Sequence, residues 1–214
     1  DAEGIVDANN NGLVTISIDQ TSPLGGTLSG MVQKNATHGV VTFSGLNINK
    51  SGTGYKLRAS SIGLTPAVSD QFDITPGSAT QLQVVTQPSN TVSETIMSPV
   101  IVHALDSNGN IDTNYSSRVF ANIKSGTGNL SGTNNPFANS GVATFNNLSI
   151  DAAGSGYTLQ FSSGALQGAI SDPFEITAPV NVNLSRFWGD MNVDGIDDET
   201  EHVVGSFFSF SAII

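Results

Sequence analysis

Apolar residues in this chain come in short runs separated by turn residues. Between positions 82 and 177 the runs are "LQVVT" (82–86), "PVIVHAL" (99–105), "RVFANIK" (118–124), "GVATFNNLSI" (141–150), "GYTLQFSS" (156–163) and "AISDPFEIT" (169–177). Gly-, Asn- and Ser-rich turns such as "SNGN" (107–110) and "SGTG" (125–128) lie between them. Along each run the period is two: Tyr157 and Leu159 share one face, and so do Ile101, His103 and Leu105. Six or seven short strands with turns every 8 to 12 residues predict an antiparallel β-sandwich.

The same unit occurs twice. "GVVTFSGLNINKSGTGYKL" (39–57) aligns with "GVATFNNLSIDAAGSGYTL" (141–159) at an offset of about 102, with about half the residues identical. The match extends to "SDQFDIT" (69–75) against "SDPFEIT" (171–177), and back to "LSG" at 28–30 and 130–132. "DAEGIVDANNNGLVTISI" (1–18) then lies against "DSNGNIDTNYSSRVFANI" (106–123) after a small length change. A period of about 100 residues is the size of one sandwich domain. The expected organisation is an incomplete domain at 1–76, a complete one at 77–178, and a tail at 179–214. The short "ITPGSAT" joint (74–80) predicts limited flexing between the copies.

Tyr55 and Tyr157 each follow a Gly-rich corner and stand two residues before an inward leucine, Leu57 or Leu159. That is the layout of a tyrosine corner, with the phenol bonded to nearby backbone. With "ATQLQVVTQPSNTV…SPVIVHALDSNGN", these motifs resemble the bacterial Ig-like repeats found in tandem in surface and secreted proteins. The resemblance covers about residues 1–178. It implies an all-β fold of tandem Ig-like sandwiches, and a role as spacer, stalk or adhesive module. Fold by itself assigns no task.

Charge narrows the function. The chain has 7 Lys plus Arg against 18 Asp plus Glu, for a net charge of −11 at pH 7. No basic stripe exists to neutralise phosphates, so nucleic acid and anionic membranes are not expected partners. No run of 18 apolar residues is present to insert into a membrane. There is no cysteine, and together with the Gly-, Ser-, Thr- and Asn-rich composition this points to an extracellular or cell-surface location. Lacking an initiator Met, the chain reads as a processed or excised portion of something longer. No enzymatic activity is expected. His38, His103 and His202 are scattered, no G-x-S-x-G occurs, and the acids outside one stretch sit mainly at turns. The sequons at Asn35, Asn114 and Asn147 carry little weight in so Asn-rich a chain.

That one stretch is "DMNVDGIDDETE" (190–201), which holds six acids in twelve positions. It satisfies D-x-[DN]-x-[DN]-G-x₅-E at Asp190, Asn192, Asp194, Gly195 and Glu201. Ca²⁺ takes six to eight hard oxygens. Asp190, Asn192 and Asp194 would supply side-chain oxygens and Ile196 its carbonyl. Asp198 would bind directly or through water, and Glu201 would close the site with two oxygens. The loop looks like those of EF-hands, dockerins and thrombospondin type-3 repeats. Asp197 stands where EF-hands carry an aliphatic residue, and no second loop is present, which implies a single structural Ca²⁺ site. The plain alternative is a solvated acidic linker.

Asp1 aligns with Asp106, so the first copy lacks counterparts of residues 81–105, its two N-terminal strands. The tail contains "VNVNL" (180–184) and, after the acidic loop, "SFFSFSAII" (206–214), in which Phe208, Phe210, Ala212 and Ile214 alternate with other residues. Three readings stay open: the tail strands complete the first domain of another copy head-to-tail, the sequence is a fragment, or the tail is helical. The functional expectation is a calcium-stabilised filament subunit or surface stalk. An adhesin or carbohydrate-binding module with a surface glycan or protein partner, and a non-catalytic spacer of a larger secreted enzyme, are the alternatives.

Overall fold

The sequence Gly-Val-x-Thr-Phe occurs at 39–43 and at 141–145, and the two occurrences fold differently. In the computed structural model, which describes residues 5–23 and 25–180, Val142–Phe145 is a strand whereas Val41, Thr42 and Phe43 are not. The cause is non-local. Val142–Phe145 pairs antiparallel with Val100–Leu105, in register Val100↔Phe145 and Val102↔Ala143. Gln81–Thr86 pairs with the other edge of Val100–Leu105. Among the described residues no strand lies beside 41–43, and an extended segment without a ladder partner makes no strand hydrogen bonds.

Around the second occurrence the sandwich is complete. One sheet runs Val142–Phe145, Val100–Leu105, Gln81–Thr86. The other runs Thr91–Val92, Phe174–Thr177, Gly154–Ser162, Phe120–Ser125, with Ala169–Ile170 also pairing to Gly154–Ser162. The inward alternates of both sheets form the core: Val100, Val102 and Ala104 from one, and Ala121, Leu159, Phe161 and Ile176 from the other, each no more than 1% exposed. Phe145 and Phe161 meet with ring centroids 5.2 Å apart at a tilt of 57°, an arrangement that suits the ring quadrupoles. No helix occurs among the described residues. The chain is an all-β protein of tandem Ig-like antiparallel sandwiches, and among the described residues the first has no counterpart of Gln81–Thr86 and Val100–Leu105.

The first copy repeats the second sheet. Leu13–Ile18 pairs with Gln33–Asn35 and with Leu57–Ser61, and Leu57–Ser61 pairs with Ala67–Val68. Gly52–Tyr55 pairs with Phe72–Ile74. The registers are equivalent: Tyr55 faces Phe72 as Tyr157 faces Phe174, and Ile16 faces Ala59 as Ala121 faces Phe161. The core is not equivalent. Among the described apolar residues of this copy only Ala36, Ile48 and Tyr55 are buried. Ile16, Val41, Phe43 and Leu57 are half-buried, while their twins Ala121, Ala143, Phe145 and Leu159 are sealed.

The tyrosine corners differ too. Tyr157 Oη lies 2.8 Å from the carbonyl oxygens of both Thr127 and Ala152, in reach to donate to either. Its ring lies over Gly126, where a Cβ would come within 2.1 Å of it, so this corner requires glycine. The aligned position in the first copy is Leu24, outside the described residues. Tyr55 is fully buried, yet its hydroxyl has no hydrogen-bond partner among the described residues. The expectation of two equivalent, bonded corners therefore holds at Tyr157 and fails at Tyr55, where the corner sequence has diverged. Tyr157→Phe should lower stability by about 1 kcal/mol, the net worth of one hydrogen bond. Tyr55→Phe should leave stability unchanged or raise it, because it removes a buried polar atom without a partner. Urea denaturation of the two variants checks both.

Candidate functional site

The acidic stretch of Asp190, Asn192, Asp194, Ile196, Asp198 and Glu201, and the strands expected at 180–184 and 206–214, fall outside the described residues apart from Val180. Among the described residues no three His, Cys, Asp or Glu side chains converge in a metal-binding group. His103 is half-buried on its strand, and burial lowers its pKa; His38 is exposed.

The most developed polar constellation is at the joint between the two copies. It starts from the "DSNGN" turn, residues 106–110. Gly109, at φ 78°, permits the reversal. The Asp106 carboxylate closes the turn on itself: Oδ1 accepts from the Asn108 amide at 2.8 Å and the Asn110 amide at 2.9 Å. Oδ2 faces the linker, accepting from the Gly77 amide at 2.9 Å and from Asn110 Nδ2 at 2.9 Å. Asp106 is 3% exposed. Burial alone would raise its pKa, but the bonds from the Asn110 side chain and from the Asn110, Gly77 and Asn108 amides outweigh it and hold the carboxyl at about 2.

Asn110 carries the constellation across to the first copy. Its Nδ2 also donates to the Asn49 carbonyl at 3.0 Å, and its Oδ1 accepts from the Ser51 amide at 3.1 Å. One amide side chain thus pairs with both polar groups of the corner at 49–51. Asp112 ties the linker a second time, accepting from the Ala79 amide at 2.9 Å. The linker, from which only limited flexing is expected, is bonded at both Gly77 and Ala79. A cleft of about 410 Å³ opens beside this node, lined by Leu46, Ile48, Ile74, Ser78, Asp106 and Asn110 among others. Its walls offer one carboxylate and several amides, a set that suits ordered water better than a charged ligand.

A second surface feature lies on the outer face of the complete copy. Phe137 is 62% exposed and Phe120 42%. The Arg118 guanidinium sits 4.2 Å from the centroid of the Phe137 ring, in cation–π contact, and donates to the Asn135 carbonyl. The strand pattern "RVFANIK" contains two of these residues. Phe137 comes alongside only through the bridge between Arg118 and Phe137, which the sequence pattern did not show.

No known family matches the chain, and no curated protein matches it. Solved structures do. The D00–D0 domains of intimin match with 17% identity and a TM-score of 0.42, covering 78% of this chain and 86% of that one. The D0–D1 domains of intimin match with 16% identity and a TM-score of 0.32, covering 82% and 85%. Bacteroides uniformis β-glucuronidase 3 matches with 13% identity and a TM-score of 0.35, covering 78% of this chain. This chain spans about a fifth of that enzyme's length, 21%.

Proposed function

We propose that this chain is a non-enzymatic structural module of an extracellular or cell-surface protein, a stalk or filament subunit. Its paired Ig-like copies hold a set geometry, and calcium bound within residues 190–201 stiffens the tail that follows. The observation that supports this reading is the Asp106–Asn110 node. A joint pinned by buried hydrogen bonds within the turn and part-buried ones to the linker and the neighbouring copy suits a spacer, which must transmit position without bending. Hydrogen exchange tests it: the Ser51 and Gly77 amides should exchange about as slowly as the core amides of the complete copy. Rapid exchange at both would mean an open, hinging joint and would contradict a spacer.

Calcium has its own test. Trp188, the single tryptophan, stands two residues before the loop. Adding Ca²⁺ to chelated protein should change its emission, with heat released or absorbed in calorimetry. A silent titration by both methods removes the metal from this account.

The exposed face of Arg118, Phe120, Asn135 and Phe137 favours a second reading, an adhesive module that stacks a sugar or peptide on the two rings. Binding on a glycan array, lost in Phe137→Ala, would establish that reading in place of the first.

A further inference from the structure

The chain carries two Asn–Gly bonds, Asn11–Gly12 and Asn108–Gly109. Such a bond is chemically labile, because a glycine has no Cβ to hinder attack by its nitrogen on the preceding side-chain amide. The two bonds sit in different surroundings. The Asn11 carboxamide is held at both ends: its Oδ1 accepts from the His38 amide at 3.3 Å, and its Nδ2 donates to the Asn9 carbonyl at 3.3 Å. A Cβ on Gly12 would meet Asn10 Oδ1 at 3.1 Å and Ser61 Oγ at 3.4 Å, so this bond is packed on one side. Asn108 is exposed, and among the described residues its carboxamide has no hydrogen-bond partner. A Cβ on Gly109 would meet nothing within 4 Å. Each glycine amide donates one hydrogen bond, Gly12 to Asn10 Oδ1 at 2.9 Å and Gly109 to the Asp106 carbonyl at 3.1 Å. Freeing the nitrogen therefore costs a similar amount at either site. The side chain separates them: of the two, Asn108 can turn toward its own glycine nitrogen without breaking a bond.

We propose that Asn108 is a modification site, where spontaneous deamidation through Gly109 loosens the joint between the two copies. The Gly109 nitrogen gives its proton to solvent base and attacks Asn108 Cγ. The Cγ–Nδ2 bond breaks and ammonia leaves. Water then opens the five-membered imide at either carbonyl. Opening at Cγ gives aspartate. Opening at the main-chain carbonyl gives isoaspartate, whose chain runs through Cβ and Cγ and is one atom longer. Either product replaces a neutral amide by a carboxylate. The extra chain atom falls between the Asn108 and Asn110 amides, which share Asp106 Oδ1 at 2.8 and 2.9 Å. A longer turn cannot bring both amides to one oxygen at those distances. Asn110 is then displaced, and with it the bonds to the Asn49 carbonyl and the Ser51 amide that cross to the first copy.

The test is ageing of the intact chain in warm, mildly alkaline buffer, with peptide mapping by mass spectrometry and hydrogen exchange on the same samples. Asn108 should show the mass change of amide to acid several-fold faster than Asn11. An isoaspartate-specific methyltransferase should label the peptide that contains residue 108. Protection of the Ser51 amide should fall in step with isoaspartate at 108. Asn108→Gln removes the reaction, because its imide would be a six-membered ring that closes far more slowly. Aged Asn108→Gln protein should therefore keep the Ser51 protection of fresh protein. Faster conversion at Asn11 than at Asn108, isoaspartate at 108 with Ser51 still protected, or an aged Asn108→Gln chain that loosens as the parent does would each overturn the proposal. Slow conversion at Asn108 overturns it and leaves the spacer reading intact. A Ser51 amide already open in the fresh parent contradicts both, since there is then no pinned joint to loosen.

Discussion

Phe145→Ala should destabilise the complete copy by about 3–5 kcal/mol, whereas the twin change Phe43→Ala should cost the first copy about 1 kcal/mol. Phe145 is 1% exposed and packs against Phe161. Removing its ring leaves a cavity between two sheets that a closed sandwich cannot collapse to fill, so the lost transfer energy and the cavity cost add. Phe43 has similar neighbours in sequence but lies half-buried, with no strand beside it among the described residues. Its ring is already in contact with water, so truncation removes little burial and opens no enclosed void. Hydrogen exchange at Leu159 and at Leu57 reports each copy separately. Equal losses at the two positions would show that the first copy has a closed core after all.

Asp106→Ala should cost about 2–4 kcal/mol and free the joint. The substitution leaves the amides of Gly77, Asn108 and Asn110 and the Asn110 Nδ2 without their acceptor. A buried donor without a partner costs about 1–3 kcal/mol, and the turn amides recover part of that from water. The pH dependence has a definite sign. Asp106 titrates at about 2 in the folded chain against 3.8 for the free side chain. Its contribution is therefore complete above about pH 4 and fades as the pH falls through about 2. Protection of the Gly77 and Ser51 amides should persist across the neutral and mildly acidic range and fail near pH 2. Asp106→Asn should abolish that acid step, because an amide has a single accepting oxygen where the carboxylate has two, and it does not titrate. An acid transition unchanged in Asp106→Asn would place the responsible carboxyl elsewhere.

Much of the fold was legible because it is written locally and written twice. The runs at 82–86, 99–105, 118–124 and 141–150 all contain strands, and the repeat offset aligns Tyr55 with Tyr157 and Phe72 with Phe174, although the pairing of each tyrosine with its phenylalanine is visible only in the structure. Pairing was less legible. "VVTF" and "VATF" are near-identical strand sequences, and only the presence of Val100–Leu105 makes one of them a strand. The joint was read from the sequence as "SNGN", a turn, and "ITPGSAT", a linker. What turns them into a node is that the corner at 49–51 arrives opposite Asn110, a contact 59 to 61 residues distant in sequence. The available signal was the alternation of Asp106, Asn108 and Asn110. Short amides and carboxylates in such a row satisfy backbone groups, and here those groups include backbone amides and a carbonyl of other segments. The acidic loop is the opposite case: all of its evidence is local, in the spacing from Asp190 to Glu201.

The central claim is that the two Ig-like copies are held at a set geometry by the node at Asp106 and Asn110. The chain has no cysteine, so spin labels introduced by Ser60→Cys in the first copy and Gln160→Cys in the second attach only where intended. Both positions are exposed on strands, which keeps label spread small. The decisive measurement is the distance distribution between them by pulsed dipolar spectroscopy, with and without Asn110→Ala. This account predicts one narrow peak that broadens in Asn110→Ala. A distribution already broad in the parent chain, or one indifferent to Asn110, would contradict it.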